Sequence, residues 1–353
     1  MDALSPQRRA KFGGSRFAIC LGAGIGIGLL PDWFELTRTA VNRAFNKSFT
    51  KAEFGKLVGD SRWSLDSWIQ AALNERLKSG KRMEDFADEL SDLLYGGLVA
   101  QFDALQPGLG SILARGLHSP ARVPKSELLL LNEAMDAQFS GTSLLQLARV
   151  LADALQSDRG PESVLTFNAD SLLYLVLLMK QKIAHWRTHP GENPSPACSR
   201  IFRAIDMPGT GTPLIHCHGA LLPRTHGFNA RLAPQHLVFT ESSYLKVAAD
   251  MASWATTLFL YHARTCRMLF VGVSMSDPNL RRWLGWSEIS TREEISNFTP
   301  ETDLAPRHAW ITTTSGDEVD AFQAVGLSHL SVEPLTIPSW NDLEKALRHL
   351  IGL

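Results

Sequence analysis

Apolar and polar positions along the chain follow two rhythms. Short apolar runs occur at 16–22 (RFAICLG), 163–168 (SVLTFN), 213–219 (PLIHCHG), 267–274 (RMLFVGVS), 308–314 (HAWITTT) and 327–335 (LSHLSVEPL), with a shorter one in HLVFT at 236–240. Runs of this length, stopped by Gly, Pro, Asn or Ser, predict buried strands. Elsewhere apolar residues recur three and four apart, the spacing of one helix face. WFELTRTAVNRAF shows it through Phe34, Thr37, Ala40, Val41 and Phe45. From about 50 to 158 the pattern is almost wholly helical, through LDSWIQAALNERLKSG, MEDFADELSDLLYGGLVAQFDAL and SLLQLARVLADALQSD. Gly80 stands where a helix C-cap is expected. Further helices are predicted at DSLLYLVLLMKQKIAHW, after HLVFT, at DPNLRRWLGW, at DEVDAFQAVG and at the closing WNDLEKALRHLIGL, while RTHPGENPSPACSR reads as a surface loop.

Strands alternating with helices predict an α/β fold: a Rossmann-like, mostly parallel sheet with helices on both faces. The expected division is an α/β domain from residues 1–48 and 159–353, interrupted by a helical insertion at 49–158.

Composition narrows this outline. The chain has 353 residues, 44% of them apolar and 20% charged, so it can bury a core and is not disordered. A net charge of −1 sets up no global basic field, and direct nucleic-acid binding is not expected. The basic N-terminal stretch SPQRRAKFGGSR reads as a solvated, partly loose tail. No leader pattern and no apolar run of about 18 residues is seen, so a soluble, cytoplasmic protein without membrane contact is expected. None of the four cysteines forms a CxxC pair, which argues against a zinc ribbon; Cys20 and Cys217 read as small buried hydrophobes.

In parallel sheets, ligands bind beyond the carboxyl ends of the strands, and four predicted strands end there in unusual residues. The first ends in Gly22-Ala23-Gly24, which lets backbone approach a pyrophosphate or simply makes a tight turn. The second ends in Asn168-Ala169-Asp170, either helix caps or ligand contacts. The third ends in His216-Cys217-His218, whose imidazoles share a strand face and read as core residues, ligand contacts or a metal pair. The fourth ends in Gly272-Val273-Ser274, with Asp277 following as another cap candidate.

The ordered set GAGIGIGLLPDW, LTFNADSLL, IHCHGALLP and LFVGVSMSDPNLRRWL resembles the sirtuin superfamily, most closely its divergent bacterial branch, the NAD-consuming domains of antiphage defence systems. The resemblance covers roughly 16–48 and 163–340. It implies that Gly22, Ala23 and Gly24 line the NAD pyrophosphate loop, and that Pro31, Asp32 and Trp33 belong to a lid over the nicotinamide ribose. It implies that Asn168 holds the ribose or the attacking water, Asp170 the nicotinamide carboxamide, and His218 the ribose hydroxyls as base or polarising group. Gly272 and Ser274 match the turn that receives phosphate and adenosine ribose, and Asp277 joins the site. The zinc module of the deacetylases, built on two CxxC pairs, has no counterpart in the sequence, so no metal is expected.

The activity implied is NAD+ glycohydrolysis, NAD+ being the substrate and nicotinamide and ADP-ribose the products, in an abortive-infection effector. Such an effector is expected to form a homo-oligomer and to answer to an activating partner, an ATPase or a nucleic-acid sensor. The helical insertion is a candidate for either contact, or a plain structural cap. The alternatives are a noncatalytic NAD or ADP-ribose sensing module, and NAD-dependent protein deacylation or ADP-ribosyl transfer.

Overall fold

The computed structural model describes residues 2–190, 192, 194–203, 206, 211–223, 237–250, 252–298 and 305–353. Seven strands make one sheet: β1 (Phe17–Leu21), β2 (Ser163–Thr166), β3 (Cys198–Ile201), β4 (Thr212–His216), β5 (Arg267–Val271), β6 (His308–Thr313) and β7 (Val332–Ile337). They lie in the order β3-β4-β2-β1-β5-β6-β7, and every pairing is parallel. The predicted α/β class with a parallel sheet is what the chain adopts. The order runs outward from β1 in both directions, and such a reversal opens a crevice beyond the carboxyl ends.

Alternation along β1 shows why both faces are covered. Phe17, Ile19 and Leu21 point into one apolar cluster, Ala18 and Cys20 into the other. The first cluster draws in α1 (Trp33–Phe45), α2 (Lys51–Ser61), α3 (Leu65–Lys78), α4 (Met83–Leu105) and α5 (Leu109–His118). It also takes α6 (Lys125–Phe139), α7 (Ser143–Gln156), α8 (Leu172–Thr188) and α13 (Leu343–Ile351). The second cluster is closed by α10 (Trp254–Thr265), α11 (Pro278–Ser296) and the end of α12 (Asp317–Ser328). A short α9 (Glu241–Ala249) precedes α10. Gly80, at φ +81, follows the end of α3 as the C-cap pattern expects.

The helices at 51–156 pack into the same core as one face of the sheet, and two polar contacts fix them there. The Tyr95 hydroxyl on α4 donates to the Leu221 carbonyl and accepts the Ser171 N–H, both at 3.0 Å. Arg200 on β3 donates to the Leu117 and His118 carbonyls at the end of α5, at 2.8 and 2.7 Å. These contacts hold the loops after β2 and β4, which carry Asn168 and His218. Tyr95→Phe strands a buried N–H and a carbonyl, and is expected to lower stability by about 2 kcal/mol in urea unfolding.

Four readings need correction. The N-terminal stretch is not loose: Ala3 and Phe12 are fully buried, Ala3 N–H bonds the Thr336 carbonyl at 2.9 Å, and Arg8 and Lys11 pair with Glu333. The expected surface loop at 187–200 contains part of strand β3, a four-residue edge strand with two half-buried positions and so no apolar signature. No strand is described within 237–240, where the chain runs extended into α9; His236 lies outside the described residues. Strand β7 also begins later than expected, because 327–331 forms the end of α12 and a turn at Ser331, φ +57.

Candidate active site

A cleft of about 570 Å³ opens at the carboxyl ends of β1, β2, β4 and β5. Its walls include Gly22 and Ala23 after β1, Asn168 and Asp170 after β2, His218 after β4, and Ser274 and Asp277 after β5. Asp32 and Trp33, at the start of α1, close one side. Four loops, from Gly22 to Asp277 in the sequence, therefore meet around one space. Parallel register does this: Thr166 sits opposite His216, and the Cys217 N–H bonds the Thr166 carbonyl at 2.9 Å. Both strands end at that pair, and Asn168 and His218 follow on the two exit loops, where both line the cleft.

The glycines divide by role. Gly22 lines the cleft, whereas Gly24 and Gly272 lie behind it and face each other. The Gly24 N–H donates to the Gly272 carbonyl at 2.9 Å, so it is spent on loop packing. A Cβ on Gly272 would lie 2.6 Å from the Ile25 nitrogen, and its φ of +64 already disfavours a side chain. Gly272→Ala is expected to cost about 2 kcal/mol or more, read as a lowered melting temperature.

The polar side chains also divide. Asp32 caps α1 by accepting the Glu35 N–H at 2.7 Å, and Ser274 bonds Ser276 Oγ at 2.6 Å. Asp277 caps α11 through the Asn279 N–H at 2.8 Å and the Leu280 N–H at 3.2 Å, and its other oxygen accepts the Tyr244 hydroxyl at 2.8 Å. Asp170 accepts the Leu172 N–H at 2.9 Å at the start of α8, and burial pushes its carboxyl up. Capping is thus a real duty of these three carboxylates, which still line the cleft.

Asn168 differs. Its residue is only 7% exposed, its backbone N–H bonds Thr166 Oγ1 at 3.0 Å, and its side-chain Oδ1 has no hydrogen-bond partner among the described residues. A buried acceptor left unpaired costs about 1–3 kcal/mol, so its place at the wall of a cleft calls for a donor from a ligand. His218 lies edge-on to Phe167, ring centres 4.8 Å apart, with Tyr244 at 6.0 Å on another side. Burial brings its imidazole down to about 4 against the opposing pull of Asp277, so the ring is neutral near pH 7.

Sequence reading missed Asp66. It lies in the first turn of α3, where an acid reads as an ordinary dipole partner, yet it lines the cleft. Burial, then Asp277 and Glu241, push its carboxyl up, while the Trp33 indole bonds it. Aromatic walls complete the cleft: Trp33 packs on Phe239 at 5.8 Å, and Phe167 stacks on Trp283 at 6.2 Å.

With this geometry in view, comparison with known families is informative. Residues 162–328 are similar to a SIR2-like domain. None of the curated proteins matches the chain. The SIR2-like match supports a place in the sirtuin-like superfamily and points to NAD-related activity in general. It spans β2 to the end of α12 and so contains Asn168, Asp170, His218, Ser274 and Asp277. Gly22 and Asp32 lie outside it in sequence, but β1, which precedes them, pairs with β2 on one side and β5 on the other, between two strands of the matched segment.

Among the described residues no helix is long and apolar enough to cross a membrane. The cleft's charged lining, among the same residues, is Asp32, Asp66, Asp170 and Asp277. One group of metal-ligating side chains is described, Glu162, His262 and Cys266, and it lies at the other end of the sheet.

Proposed function

We propose that the protein is an NAD+ glycohydrolase, cleaving NAD+ to nicotinamide and ADP-ribose. One observation carries this reading: Asn168, whose buried amide oxygen has no partner among the described residues, and His218, a neutral imidazole, line one cleft at the carboxyl edge of the sheet.

The nicotinamide leaves as a neutral pyridine, and the sugar passes through an oxocarbenium-like state, as in glycoside hydrolysis. In this reading Asn168 orients water or a ribose hydroxyl without adding charge. His218, already unprotonated, accepts a hydroxyl proton. A proton affinity set near 4 makes it a weak base in the open cleft, so its larger effect is to hold and polarise the hydroxyl. Asp170 receives the carboxamide NH2. The carboxylates lining the cleft favour the cationic ring of NAD+ and the positive charge that develops on the ribose. The tight Gly22–Gly24–Gly272 packing holds the loop meant for the pyrophosphate.

Water is the nucleophile in this proposal, since no acetyl-lysine cleft is identified among the described residues. Because free NADase activity is toxic to its own cell, we further propose an antiphage effector that rests at low activity until a partner protein engages it, in a homo-oligomer. The test is mass spectrometry of NAD+ incubated with the purified chain, alone and with the products of neighbouring genes. Stoichiometric nicotinamide and ADP-ribose are expected. NAD+ that is bound but intact in every condition assigns the cleft to sensing, and modified protein in place of free ADP-ribose assigns it to transfer.

A further inference from the structure

At the end of the sheet where the strands begin, away from the cleft, three metal-ligating side chains converge. Glu162 immediately precedes β2, His262 lies in the last turn of α10, and Cys266 ends that helix just before β5. His262 and Cys266 are four apart, which puts both on one helix face. Their ligand atoms and a Glu162 oxygen all lie within 4.8 Å of one another.

Two of the separations match a metal's coordination shell. Cys266 Sγ is 3.3 Å from Glu162 Oε2 and 3.7 Å from His262 Nδ1. Tetrahedral zinc, with sulfur at about 2.3 Å and nitrogen or oxygen at about 2.0–2.2 Å, sets such pairs about 3.5 Å apart. His262 Nε2 lies 3.0 Å from the hydroxyl of Ser163, itself fully buried, which fixes the ring as an outer-shell partner does. Arg16 holds both oxygens of Glu162 from the solvent side, Nη2 donating to Oε2 at 2.9 Å. A carboxylate oxygen with two lone pairs can take that N–H and a metal together.

We propose that Glu162, His262 and Cys266 bind a zinc ion, with water in the fourth position. Thiolate, imidazole and carboxylate together suit zinc better than magnesium or calcium, which prefer oxygen alone. On binding, the Cys266 S–H bond breaks, its proton goes to solvent, and the sulfur lone pair forms the bond to the metal. Glu162 ligates as a carboxylate and His262 as a neutral imidazole, so neither bond to the metal needs a further bond broken. The site staples the starts of β2 and β5 to α10, a structural duty separate from the cleft. The Glu162 and Cys266 ligands stand 104 residues apart, so no sequence spacing announces them.

Elemental mass spectrometry of the full chain, purified without a metal-affinity tag, reads zinc directly. Titration with Co2+ adds the near-ultraviolet band of a thiolate–cobalt bond. One zinc per chain and that band are expected in the wild-type protein, with a melting temperature lowered by a chelator. C266S is expected to abolish the band, and S163A to weaken metal affinity about 10- to 100-fold, as loss of an outer-shell partner does. Wild-type protein that retains no zinc and gives no band overturns the proposal without recourse to any variant. Zinc held equally well by C266S overturns it too, and places the ion elsewhere, for instance on the stacked His185 and His189.

Discussion

Replacing Asn168 with alanine is expected to slow NAD+ cleavage by about 10²-fold or more, and His218→Ala by a similar factor, the scale for losing a positioned catalytic group. For Asn168 the argument is sharpened by what the variant does not lose. Its Oδ1 makes no hydrogen bond within the described protein, so alanine removes no internal partner. A residue kept for the fold would cost stability when truncated; this one is expected to cost activity while the melting temperature stays within a few degrees. His218 is the less clean of the two, because its ring packs on Phe167 and Tyr244. His218→Gln keeps most of that packing and a polar tip, and separates the two effects. The steady-state rate of nicotinamide release, with circular dichroism on the same samples, decides both.

The second large effect is on stability against acid. Burial drives His216 to about 3, helped by Arg200, drives His308 to about 3, helped by Arg307, and drives His218 to about 4; it lowers His262 as well. Unfolded, each titrates near 6.5. Between those values the unfolded chain binds protons that the folded chain does not, so stability rises with pH and is lost on acidification. The loss begins near pH 6.5 and continues down towards 3–4, at up to about 1.4 kcal/mol per pH unit for each histidine. Burial pushes Asp66 and Asp170 the other way, which offsets part of the effect. Urea midpoints measured from pH 7.5 to 4.5 are expected to fall steadily, and His216→Phe, which has no proton to take up, is expected to fall less steeply. A flat profile would mean that these imidazoles are solvated.

Much of this arrangement was legible in the residues. Helices α1 and α4 run over the residues their apolar spacing predicted, because each presents one clean face to a large core. That the strand ends meet at one cleft was legible for a similar reason: a parallel sheet offers one edge for ligands, and unusual residues at that edge stand out. What escaped the reading has physical causes. Strand β3 is short, half-exposed and preceded by prolines, so it carries no strand rhythm. Asp66 reaches the cleft only because α3 packs on α1, a tertiary event with no local mark. Gly24 and Gly272 looked like phosphate-binding glycines, but they serve each other, since two backbones pass too close for a Cβ. The N-terminal stretch looked polar and loose because Phe12, one of its anchors, is a single aromatic residue in a basic run, and the other anchor, Ala3, lies just ahead of that run.

The central claim is that one cleft at the carboxyl edge of the sheet holds NAD+ and breaks its glycosidic bond. Product analysis by mass spectrometry, comparing wild-type and Asn168→Ala protein under activating conditions, tests it most directly. The account predicts nicotinamide and free ADP-ribose from the wild type and nearly intact NAD+ from the variant. Equal cleavage by both proteins, or intact NAD+ with both, would contradict it.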